Sequence, residues 1–148
     1  MKRQIEDYLR ARGVQYFRGH HDDEYFFLVD FLVGAYRGRL NVHLRACDDD
    51  ADAVLVAISP DRYYPAEKAE WLGTLADQWN AEEPAVRAMV HGSCDPHLVG
   101  VQARGRYRPA DVAALTGFVD AAVAAGIDLF GRMAAAAVPA SNNLRDAG

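Results

Sequence analysis

Disulfide chemistry has little to work with in this chain. Its two cysteines, Cys47 and Cys94, lie far apart and outside any cluster, which is the usage of a reducing compartment rather than of a stapled scaffold. Positive charge is also short. A formal net charge of -5 favours solubility and withholds the basic footprint that nucleic acid requires. Unbroken apolar runs are missing too: the most apolar stretch, Pro109 to Ala137, is interrupted by Asp111, Asp120, Asp128 and Arg132, so no membrane span is expected. The opening MKRQIEDYLRARG has basic residues with no apolar region behind them, unlike a secretory signal. No nucleophile–base–oxyanion set, Gly-rich phosphate loop or paired-carboxylate motif stands out. The expectation is a cytoplasmic protein that is not an enzyme and needs no cofactor.

What the chain does have is one organising stretch, Tyr64 to Val90, YPAEKAEWLGTLADQWNAEEPAVRAMV. It reads as an amphipathic helix opened by Pro65 and carrying both tryptophans. Leu72, Leu75, Ala76 and Trp79 form its stripe with Ala69 and Trp71 at the margins, and Leu72, Leu75, Trp71, Trp79 and Asn80 are expected in the structural core. Asn80 tolerates the left-handed conformation that ends a helix, and Pro84 forbids resumption.

The remaining pattern fits around that helix. Lys2 to Arg12 puts Ile5, Tyr8 and Leu9 on one helical face, and Gly13 supplies a stop. Val14 to Arg18 is a short strand candidate. Tyr25 to Val33 and Ala53 to Ile58 are apolar on both faces, as central strands or subunit contacts would be. Tyr36 to Ala46 alternates cleanly, as a half-solvated antiparallel strand does. Val86 to His91 and Leu98 to Tyr107 form a hairpin, and Pro109 opens a long last helix in which Gly117 and Gly126 imply close packing or a bend.

The order is helix, strands, helix, two strands, helix. This predicts an α+β fold: an antiparallel sheet of five to six strands with N-terminal, central and C-terminal helices mainly on one face. A single domain over 1–137 is expected, followed by a disordered tail over 138–148.

The helix ending in Trp79-Asn80, the proline shortly after, two strands and a terminal amphipathic helix together resemble the YbjN-type family. The short first helix and strand-rich middle extend the resemblance over Ile5 to Met133. These are bacterial proteins described as candidate regulators of sensory transduction, similar in fold to the type III secretion chaperones. The resemblance implies no catalytic residue. It implies association with itself, as a homodimer, or with another protein or peptide.

Two candidate sites follow from the residues. Arg37, Arg39 and Arg45 on one strand and Arg104 and Arg106 on another fall on polar faces, where they can hold an acidic partner or simply finish a solvated sheet. His91, Cys94 and His97 have spacing compatible with zinc, with His43 and Cys47 as further ligands, which gives an alternative reading as a metal- or ligand-dependent sensor. The bland reading of the same residues is an ordinary hairpin turn. The cluster His20-His21-Asp22-Asp23 reads as a solvated turn.

Overall fold

The computed structural model describes the backbone of residues 1–147 and the side chains of residues 1–134. The chain runs α1 (Lys2–Arg12), β1 (Tyr16–Arg18), β2 (Glu24–Val33), β3 (Tyr36–Cys47), β4 (Asp50–Pro60), β5 (Tyr64–Pro65), α2 (Ala69–Asn80), β6 (Arg87–Gly92), β7 (Leu98–Tyr107) and α3 (Val112–Ala147). The tail expected over 138–148 involves side chains outside the described residues.

All strand pairs are antiparallel. The lateral order is β1-β2-β3-β4-β7, with β6 on the far side of β7 and β5 sharing β7's near side with β4. The seventh strand is the two-residue β5, inside what the sequence presented as the start of a helix. Tyr64 is buried there opposite Val99, and Pro65 leads into a 3-10 turn over Ala66–Lys68 rather than opening α2 directly.

Period two divides the sheet cleanly. Tyr25, Phe27 and Phe31 of β2, Leu40, Val42 and Leu44 of β3, and Val54, Val56 and Ile58 of β4 are buried on one face. The three helices cover that face. α3 lies along it through Leu115, Val119, Ala122, Leu129, Phe130 and Met133, all with no exposed surface. Each of these apart from Ala122 contributes roughly 1.5–3 kcal/mol of burial. Gly126 is the closest approach: a Cβ there would stand 3.0 Å from Ile58 Cγ2, so a side chain would require Ile58 to give by a few tenths of an ångström. Val112–Ala134 is long and apolar enough to cross a membrane by length and composition alone, and only part of it is buried against the sheet.

Two aspartates on α3 tie the helices together. Tyr8 Oη donates to Asp120 Oδ1 at 3.0 Å, and Arg12 pairs with the same carboxylate, joining α1 to α3. Trp79 Nε1 donates to Asp128 Oδ2 at 3.0 Å, while Arg132 bridges Asp128 and Glu82, joining α2 to α3. At the end of α1, Gly13 takes the expected left-handed conformation at φ 66°, its N–H bonded to Arg10 O.

Three expectations need correction. Trp71 is not a core residue: it is 37% exposed, whereas Leu72, Ala76 and Trp79 are buried and Leu75 is half-buried. One residue of helix turns a side chain by about 100°, which carries Trp71 off the stripe. Asn80 does not end α2 in a left-handed conformation. The next residue, Ala81, remains right-handed, and the chain turns at Glu83, φ 54°. Nor is β2 buried on both faces, because Leu28 and Leu32 are exposed. Strand β4, between β3 and β7, is the central strand that its two-faced apolarity implied.

Candidate functional site on the open sheet face

The face that the helices leave bare is built by the alternate residues of each strand. Phe17 comes from β1, Phe26, Leu28, Asp30 and Leu32 from β2, and Arg37, Arg39, Asn41, His43 and Arg45 from β3. On the other side of β4, β7 adds Gln102, Arg104 and Arg106, and β6 adds Arg87, Met89 and His91. The five arginines expected on polar strand faces therefore share one face of one sheet. They are not adjacent, because β4 separates β3 from β7, and Leu55 lies between Arg45 and Arg106.

Three of the five have carboxylate partners. Arg39 Nε donates to Asp30 Oδ1 at 2.7 Å, Arg45 pairs with Asp48, and Arg106 pairs with Asp49 at 3.0 Å. The hydrogen bond from Arg39 holds the Asp30 carboxyl below its ordinary range, and that from Arg106 does the same for Asp49. Pairs this exposed are screened by solvent and contribute little to stability. They are the solvated finish of a one-sided sheet.

Arg37 and Arg104 differ, having no ion pair among the described residues. Arg87, absent from the sequence-derived set, is in the same state, and it stands directly opposite Arg104 across β6 and β7. Like charges directly opposite on a sheet are destabilising, so this pair is a local positive centre without an internal counterion. The signal for Arg87 was present in the alternation Arg87, Met89, His91 against Ala88 and Val90. Its position opposite Arg104 depends on a register that one strand cannot reveal.

An apolar strip runs along the opposite edge of this face, on β1 and β2, across β3 and β4 from the Arg87–Arg104 pair. Leu28 is 46%, Leu32 64% and Phe17 56% exposed, and Met89 adds a further apolar group next to Arg87. Phe26 stacks on the His43 ring at 4.4 Å between centroids. His43 Nε2 lies 2.9 Å from Glu24 Oε2, and Glu24 is the buried polar residue of the described core. Burial pushes the Glu24 carboxyl up, but the bond to His43 and backbone groups of His21 and His20 outweigh it, and the net direction is down.

That direction fixes a pH dependence. A carboxyl held lower in the folded state contributes stability above its unfolded pKa of about 4.3. The contribution is lost as pH falls through the lower folded value. Urea midpoints measured from pH 3 to 7 should therefore fall less steeply on the acid side for Glu24→Gln than for the unmodified chain. Identical acid slopes would remove the role given to Glu24.

The zinc arrangement does not assemble. His91 lies over Gly100 with Nδ1 2.9 Å from Gly92 O, while Cys94 and His97 are exposed on the turn. Ser93 Oγ and Asp95 organise that turn, and the His97 N–H donates to Asp95 Oδ1 at 2.8 Å. Among the described residues no three His, Cys, Asp or Glu side chains are grouped to hold a metal, so His91, Cys94 and His97 are corrected to a hairpin turn, and His43 and Cys47 complete nothing. In the first loop, Asp22 is engaged with Lys2.

No family model and no curated protein matches this sequence. Among solved structures the chain is similar to YbjN from E. coli, described as a candidate transcription regulator, with a TM-score of 0.63 at 13% identity over 90% of each chain. The fold is that of YbjN. The YbjN-type architecture expected from Trp79-Asn80 and its surroundings is thus the one adopted. At this identity the likeness carries the YbjN layering and strand order and assigns no residue a role.

In the YbjN-type frame Asn80 has a structural task. Its Nδ2 donates to Ala88 O at 3.0 Å, and its Oδ1 accepts from Ala88 N at 2.8 Å. The amide thus stands in for a strand residue along the outer edge of β6, satisfying backbone groups that would otherwise invite another chain.

Proposed function

We propose that this chain is a non-enzymatic, cytoplasmic, homodimeric adaptor or regulator that binds an acidic segment of another protein on the open face of its sheet. The observation that carries the reading is the opposed pair Arg87 and Arg104. Its cations lack a carboxylate among the described residues and lie beside exposed Met89, while the exposed leucines stand on the same face across β3 and β4, on β2. A bare cation pair binds carboxylates by charge-assisted hydrogen bonds, and the apolar strip supplies area that does not depend on salt. The negative net charge weighs against nucleic acid as the partner. The regulatory description of YbjN fits a binding role and is carried over here as part of the proposal.

Affinity capture from the native cell tests it. Arg87→Glu combined with Arg104→Glu should weaken recovery of the principal partner by roughly tenfold or more, because reversal turns attraction into repulsion. Arg37→Glu should weaken it further. Since all three side chains are exposed, the unfolding midpoint should hardly move. Undiminished recovery of every partner by the folded variant would contradict the proposal.

A further inference from the structure

The two edges of the sheet are treated differently. Asn80 clasps β6, whereas β2 is covered by β1 only from Tyr25 to Phe27. From Leu28 to Val33 the strand keeps an unbroken register with β3 and, among the described residues, pairs with no strand on its other side. It has no lysine, proline or bulge of the kind that protects exposed edges, and its one charge, Asp30, is paired with Arg39. Glu24 bonds outward to Gly19 N and His21 O, so alternation directs the backbone groups of Leu28, Asp30 and Leu32 outward as well. On the helix side the edge opens into an apolar groove of about 330 Å³, lined among others by Val14, Val29, Val123 and Ile127.

We infer that this edge is where a second copy of the chain docks, β2 pairing antiparallel with β2 of its partner about a two-fold axis at Phe31. The inference rests on the homodimer reading above and names its interface. Three observations choose this occupant and register. The free edge is bounded by β1 at Phe27 and by the turn at Gly34, φ 60°, and the register that fills it and returns onto itself is centred on Phe31. That register keeps each face continuous, since it pairs even residues with even and odd with odd. It sets Leu32 opposite the partner's Asp30 and Val29 opposite the partner's Val33, closing the groove with apolar side chains. It also supplies charge complementarity. Arg37 lies across from Leu32 on β3, so the partner's Asp30 enters the same cross-strand row as Arg37, and the two Asp30 carboxylates are not placed opposite each other.

Mixed-chain disulfide trapping reads the register directly. In a Cys47→Ser, Cys94→Ser background, one chain carries Val29→Cys and another Val33→Cys. Facing residues of this kind have Cα atoms about 4.5 Å apart, within disulfide reach. Under mild oxidation the mixture should give a covalent dimer, and each chain alone should not, because like positions lie about 13 Å apart along the strand. Leu32→Lys, at an exposed site, should reduce the light-scattering mass from two chains to one. If the unmodified protein scatters as a dimer and the mixture does not cross-link, the β2 interface is overturned while the dimer stands. If the unmodified protein scatters as a monomer, the dimer reading fails and the interface with it.

Discussion

Trp79→Ala should cost about 3–5 kcal/mol, the usual range for deleting a buried indole. A domain of this size has only about 5–15 kcal/mol in total, so the variant should lose a large share of it. Trp79 is 2% exposed and sits where α2, α3 and the sheet meet. Its removal also deletes the donor to Asp128, although Arg132 still engages that carboxylate, so no bare charge is left behind. Trp79→Phe keeps most of the packing and loses the N–H bond, about 1–2 kcal/mol. Trp71→Ala, on the exposed side of the same helix, should cost less than about 1 kcal/mol. Guanidinium unfolding of the three variants checks the ranking. Equal losses at Trp71 and Trp79 would contradict the observed layering.

Asn80→Ala should cost about 2–3 kcal/mol, more than its half-buried position suggests, because two backbone groups of Ala88 lose their partners together. Asn80→Asp should be no better. A carboxylate accepts from Ala88 N but has nothing to donate to Ala88 O, and it brings negative charge against that carbonyl. Either change uncovers the β6 edge, so faster association at high protein concentration should accompany the lower unfolding midpoint. Full stability with either substitution would reduce the clasp to an incidental contact.

The legibility of this chain follows the range of its interactions. Period-two alternation in Tyr36–Cys47 and the 3.6-residue stripe in α2 are local, and they show which face of each element is buried. A tryptophan reads as core by type, while the helix places Trp71 about 100° off the stripe. Asn80 reads as a helix end because left-handed asparagine is a local habit. Its actual partner lies eight residues on, across a turn, and no local pattern records such a bond. Arg104 was legible as an outward residue of β7. Arg87 acquired meaning only through its register with Arg104. The His91, Cys94 and His97 spacing suggested convergence, which sequence spacing cannot supply when a hairpin directs each side chain elsewhere. The exposed leucines of β2 read as doubly buried in sequence, because apolarity alone does not reveal which strand lies at an edge.

Covalent footprinting of the partner complex tests the central claim that the open sheet face is the working surface. Phenylglyoxal modifies accessible arginines, and Arg37, Arg87 and Arg104 are exposed in the free chain. On partner binding, Arg87 and Arg104 should lose most of their reactivity, with Arg132 on the helix side unchanged. Protection of Arg132 with Arg87 and Arg104 still fully reactive would place the partner on the helices and contradict the account.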